Sequence, residues 1–453
     1  VLVVAFAAGV GSDASASAQG SIGWTSFQGG PEHQGISSDG PPPALAVAWR
    51  KAGDGQTASA SPSSIVVDGG LAIAVSTNQV VALDVTTGDQ RWRLGRAPGY
   101  LVPAAVDPSS GILVFTQGRG GSATLVAVRM ADRSEMWRFP VGSALSRPLR
   151  GAPVIADGTV FVGGDDGSVY AIDLTSGARR WTYRAGGMVQ TSPAAAGGSV
   201  YAVAEDGSSG RATLVAIDAS TGKRRWSYSP SGVALHVSAP TVADGRVFVG
   251  FGDGTVRAFD AATGRVLWTA RVRGLFSAMN AIAAEGGAVY PIDATGALYR
   301  FDAATGERAW DFQFTTTCVR SAPLVARGYA YVGLDDGSVA AVDVASGKQV
   351  WIADTGTGAV GGMAAADGTL LVPSVGTSGN GGSIVAFRHT NAPLQIVDSP
   401  TTLHLGSAFS NFGIAFVIVL GGLLLVFGVL VRRRDRTPGV GLAAPDAGSG
   451  ADA

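Results

Sequence analysis

Eight tryptophans constrain this chain more than any other feature. Trp49, Trp92, Trp137, Trp181, Trp226, Trp268, Trp310 and Trp351 follow one another at intervals of 41 to 45 residues. A period near 40 marks a chain built from repeated supersecondary units, each able to bury its apolar face only against its neighbours. Six of the eight copies share more than the indole. Asp stands eight residues before the Trp, Ser or Thr five before, and Gly four before: Asp84…Gly88…Trp92, Asp173…Gly177…Trp181, Asp218…Gly222…Trp226, Asp260…Gly264…Trp268, Asp302…Gly306…Trp310 and Asp343…Gly347…Trp351.

The spacing has a local physical reading. Alternation such as Val169-Tyr170-Ala171-Ile172 makes a strand. In the turn that follows, the Asp carboxylate accepts backbone N–H bonds, and the Ser or Thr hydroxyl does so more weakly. The Gly is expected at positive φ, as a bulged hairpin requires. The Trp then sits on the next strand and packs between neighbouring units. Upstream, Ala152-Pro153-Val154-Ile155 leads through Asp157-Gly158 into Thr159–Gly163, and Asp166-Gly167 turns into the Asp-bearing strand. Four strands per repeat is the blade of a β-propeller. Copy two departs, with Arg129 and Arg133 at the Asp and Gly positions before Trp137, and a remodelled turn is expected there. Copy eight is split. The last strand, Ile384–Phe387, has no following Trp, whereas Trp49 has no preceding strands. Pairing residues 44–50 with that strand closes the ring and removes its open edge. The fold class is therefore all-β, an eight-bladed propeller of four-stranded antiparallel blades closed by an N-terminal strand.

The run Ala-x-Asp-x-x-Thr-Gly-x-x-x-Trp, cleanest from Ala216 to Trp226, resembles the tryptophan-docking repeat of the pyrroloquinoline-quinone-like (PQQ-like) propeller family. Trp24-Thr-Ser-Phe27-Gln-Gly-Gly-Pro31-Glu-His33-Gln-Gly35 is similar to that family's lead-in. The family includes quinoprotein dehydrogenases and the BamB-like propellers of bacterial outer-membrane assembly, so the resemblance implies the fold and leaves the role open.

Both ends read differently from the repeat. Val1–Val10 is an apolar run followed by Ala16-Ser17-Ala18, the pattern of a signal peptide, here without an initiating Met or a basic start. Residues 412–431 are twenty uncharged, overwhelmingly apolar residues, long enough as a helix (roughly 30 Å) to cross a bilayer. Arg432, Arg433, Arg434 and Arg436 follow, and place that end in the cytoplasm and the rest outside. The expected organisation is a signal peptide (1–18), a lead-in (19–43), the propeller (44–390), a stalk (391–411), a transmembrane helix (412–431) and a disordered cytoplasmic tail (432–453).

The chemistry of the sequence points to binding. A net charge of −1 offers no footprint for nucleic acid. The single Cys318 excludes an intrachain disulfide, and His33, His236, His389 and His404 show no zinc-ligand spacing. The resemblance adds a further point: quinoprotein alcohol dehydrogenases typically carry an adjacent Cys-Cys pair against the cofactor, which this chain cannot supply. The even repeat spacing also leaves no long insertion to build such a site. Asp166-Gly167, Asp206-Gly207, Asp253-Gly254 and Asp336-Gly337 recur once per blade, as hairpin turns rather than calcium ligands. Gly356-Thr-Gly358-Ala-Val-Gly361 has no helix to present to a phosphate. No catalytic residue and no metal site is expected. The binding candidates are Tyr100, Arg150, Gln190 and Arg320, three residues before each strand-initiating Pro or its equivalent, with His236, Met188 and Asn280 close by. Arg150 and Arg320 belong to blades three and seven, opposite one another across the mouth, where two guanidiniums could clamp an anion. These features lead to a non-catalytic, monomeric, membrane-anchored extracytoplasmic scaffold that binds a protein or a cell-wall polymer. It needs no cofactor. The alternative is a quinoprotein dehydrogenase, or a degenerate sensor, holding PQQ with calcium.

Overall fold

A computed structural model describes residues 23–52, 65–76, 79–95, 102–118, 123–142, 151–231, 235–276, 281–314, 321–356, 358, 361–374 and 382–391. The signal-peptide, transmembrane and tail segments lie outside the described residues, as does the stalk beyond residue 391. Among the described residues there is no helix, and so none long and apolar enough to cross a membrane.

Eight separate sheets form the eight blades. Blade three is representative: Val154–Ala156, Thr159–Gly163, Ser168–Asp173 and Arg179–Arg184 pair antiparallel in sequence order, from the axis outward. Blade eight takes its first three strands from Ala364–Ala366, Thr369–Ser374 and Ser383–His389, and its outermost from Leu45–Ala52. That last strand pairs antiparallel with Ser383–His389 and closes the ring. Blade seven departs from the four-stranded expectation. Ile36–Ser37 adds a fifth, parallel strand against Leu324–Ala326.

Apolar clusters fill the seams between blades. Between blades four and five, Tyr201, Val203 and Trp226 meet Val247, Phe251 and Phe259, all buried. A fully buried side chain of this size is worth about 1.5–3 kcal/mol, so eight such seams carry the fold. The innermost strands are short and rich in small residues, Ala194–Ala196 and Ala364–Ala366 being alanine throughout, as a tapering ring requires.

The repeat signature is a docking device. Gly222 has φ 71°, and a Cβ there would lie 2.7 Å from the Trp181 ring. Gly88, Gly177, Gly264, Gly306 and Gly347 seat Trp49, Trp137, Trp226, Trp268 and Trp310 in the same way. Seven of the eight indoles also donate to the blade ahead, among them Trp181 Nε1 to Ala219 O at 2.8 Å, Trp351 Nε1 to Leu45 O at 3.2 Å, and Trp49 Nε1 to Val85 O at 3.0 Å. The last two run through the closure. A β-bulge skips the residue before each Trp in the pairing and turns Arg91, Arg180 and Arg225 onto Asp84, Asp173 and Asp218, each at 2.7 Å.

Copy two corrects an expectation. Its turn keeps the common backbone: Arg133 N donates to Arg129 O, Arg129 N to Ser134 O, and Arg133 adopts φ 62°. Only the side-chain bonds change, with Asp132 accepting the N–H and hydroxyl of Ser134. Among the described residues Trp92, which precedes this turn, is the one repeat indole without a bond to the next blade.

Candidate functional site

Because strands alternate in direction, each blade presents two kinds of loop. The crossovers between blades and the second hairpin turns share one face, the connector face. The first and third hairpin turns share the other.

The axis is not empty. Residues 24–39 run as a strap along the innermost strands. The carbonyls of Trp24, Thr25, Pro31, Glu32, Gln34 and Gly35 accept the N–H of Val67, Val106, Ala195, Val242, Ala284 and Val325. Each donor is the middle residue of an innermost strand, in blades one, two, four, five, six and seven. Blade eight is reached through Ser37 Oγ to Ala365 O at 3.0 Å and Gly368 N to Asp39 O at 2.9 Å. The strap thus satisfies the inner edges that the ring leaves facing its axis. Gln28 and His33 take positive φ (both 59°) to follow this path, beside Gly29 and Gly35. The His33 ring is fully buried, edge-on to Phe27 at 5.3 Å, with Nδ1 3.1 Å from Pro240 O. Burial lowers its pKa to about 4, so it is neutral near pH 7. Phe27 packs on Ala239, Ala281 and Ala322, which enter blades five, six and seven. A planar cofactor seated there would have to displace this ring. Among the described residues no group of three His, Cys, Asp or Glu could hold a metal ion.

On the connector face the sequence candidates separate. Tyr100, Arg150, Arg320 and Asn280 lie outside the described residues, so the proposed guanidinium clamp does too. Gln190 and His236 stand on the crossovers flanking blade four. Gln190 is half-buried, with Nε2 3.8 Å from Met188 Sδ, and His236 is exposed at φ 64°. Glu205 joins the two crossovers: its backbone pairs with Met188, and its carboxylate accepts the Val237 N–H at 2.8 Å.

Sequence reasoning missed the next crossover. Asp293 is fully buried and accepts from Gly274 N and Tyr299 OH, both at 2.8 Å, and from Thr295 and Ala297. Burial, with this bond to Asp293, pushes the Tyr299 hydroxyl up to about 12. Leu275 O accepts Ala294 N at 2.9 Å, and the Leu275 side chain is held outward, 57% exposed. The one sequence signal was Asp293, a carboxylate standing where blade three has Gly164 and blade seven has Leu334 before the second turn. The Asp-Gly turns themselves are closed locally, as with Asp166 to Ser168 and Tyr170, and Asp253 to Thr255.

This architecture recurs among known proteins. A europium-containing methanol dehydrogenase superposes with TM-score 0.67 at 15% identity, covering 81% of this chain and 98% of its own. BamB from Moraxella catarrhalis superposes with TM-score 0.57 at 21% identity, covering 76% and 99%. Both likenesses are of fold. In sequence, the outer membrane protein assembly factor BamB of Burkholderia pseudomallei is 28% identical over 122 residues, 27% of this chain and 29% of that protein. The match spans less than a third of that relative. The family model described as outer membrane protein assembly factor BamB matches residues 121–239, 208–282 and 236–408, well over half the sequence. The chain belongs to this family of PQQ-like, BamB-type propellers.

Proposed function

We propose that this protein is a non-catalytic, extracytoplasmic scaffold that binds a protein partner through its connector face, with residues 412–431 as its membrane tether. One observation carries the reading: Leu275 is a large apolar side chain presented to solvent on a crossover fixed by a buried carboxylate. Gln190 and His236 stand on the two preceding crossovers, latched through Glu205. A preorganised surface binds without the cost of ordering its loops. An apolar side chain ringed by polar groups is the usual composition of a protein-binding patch. The Burkholderia relative and the family model, both named as outer membrane protein assembly factor BamB, support a protein rather than a small-molecule partner. The occupied axis and the lone cysteine weigh against quinone chemistry.

Photocrosslinking residues placed at Leu275, His236 and, as control, Asp157 on the opposite face test this in the host. Discrete protein adducts from the first two positions alone are expected. Equal labelling from all three, or none at Leu275, overturns the reading.

A further inference from the structure

The face opposite the connectors carries a second feature. Two adjoining recesses, of about 310 and 180 Å³, lie beside the strap under blades four, five and six, and share Gln34, Ala243 and Asp244. The floor is small and apolar, with Ala196 and Ala261 in the larger recess and Ala303 in the smaller. The rim is anionic: Glu32 and Asp244 border the first, Asp244 and Glu285 the second. Among the described residues Arg225 is the one guanidinium on this lining, and it is committed to Asp218 and Ser199, each at 2.7 Å. The Glu285 carboxylate is half-buried with no cation or hydrogen-bond partner among the described residues, and desolvation raises its pKa. Burial of an unpaired carboxylate is unfavourable, and a cation brought to it recovers that cost. The described carboxylates do not cluster tightly enough to hold a metal ion. Together the recesses form an elongated groove, and the larger is at the small end for a ligand pocket. These dimensions suit a long cationic side chain and its short-chained neighbours.

We infer that this groove docks an extended segment of a protein partner carrying an arginine or lysine between small apolar residues. The site is on the other face from the connector patch, so either can fail without the other. The test uses the full chain in detergent with a fluorescein-labelled acetyl-Ala-Ala-Arg-Ala-Ala-amide peptide, read by anisotropy. Saturable binding is expected that falls about tenfold in the Asp244→Asn/Glu285→Gln double variant, weakens with salt, and is unchanged by Leu275→Asp. The same peptide with Glu in place of Arg should not bind. The two amides replace an exposed and a half-buried carboxylate without change of shape, and an unaltered melting temperature of the double variant establishes that it is folded. Absence of saturable binding, binding that survives the double variant, or full displacement by calcium alone would overturn the inference.

Discussion

Beneath six of the eight indoles, conformation and packing ask for the same residue. Gly222 needs positive φ and leaves no room for a Cβ against Trp181. Gly222→Val should therefore cost about 2–4 kcal/mol, from left-handed strain plus overpacking, measured by denaturant unfolding. Arg133→Gly is the informative counterpart. Relief of left-handed strain is offset by the greater freedom of unfolded glycine, and the net change should stay within about 1 kcal/mol. At His33 the folded pKa, about 4, lies below the ordinary 6.5. The unfolded chain then binds more protons between those values. The contribution of His33 is complete above pH 6.5 and is lost as pH falls toward 4, on the order of 3 kcal/mol in all. His33→Gln should flatten the pH dependence of the melting temperature in that window. The Asp84 carboxylate, held at about 2 by Arg91 and the Thr87 N–H, acts only below its ordinary 3.8.

At the level of elements, the blades were legible because their information is in side chains. Asp, Gly and Trp at fixed offsets mark the third hairpin turn, the bulge and the docked outer strand, and Trp49 without a blade of its own marks the closure. The strap was not legible as a strap. Its bonds to six blades run through backbone carbonyls, which any residue supplies. Only Gly29, Gly35 and a histidine in an apolar setting hinted that residues 24–35 are packed. Phe27 tests the element's importance, since it is the side chain the strap sends onto the entries of three blades. Phe27→Ala should lower stability by about 2 kcal/mol, less than for a fully buried phenylalanine because the ring is half-buried. Fluorescence-detected unfolding would show no change if the strap merely lay along the axis. The connector candidates were half legible. Repeat phase put Gln190 and His236 on crossovers, but the latching of those crossovers by Glu205, and of the next one by Asp293, arises from residues far apart in sequence.

For the whole molecule, the ring is closed twice, by the outer strand Leu45–Ala52 and by the axial strap, so both termini of the described chain are fastened to the same circle. Such a body does not need to move to bind. Its two faces differ in character: one displays Leu275 on braced crossovers, the other an anionic groove beside the strap. Dehydrogenases of the same fold show that the ring alone does not decide between binding and redox chemistry. The most direct test is calorimetric titration of the full chain with PQQ, with and without calcium. The binding account predicts no saturable heat and no rise in melting temperature. Saturable binding at ~micromolar affinity or tighter, with protection against unfolding, would contradict it and return the chain to the quinoproteins.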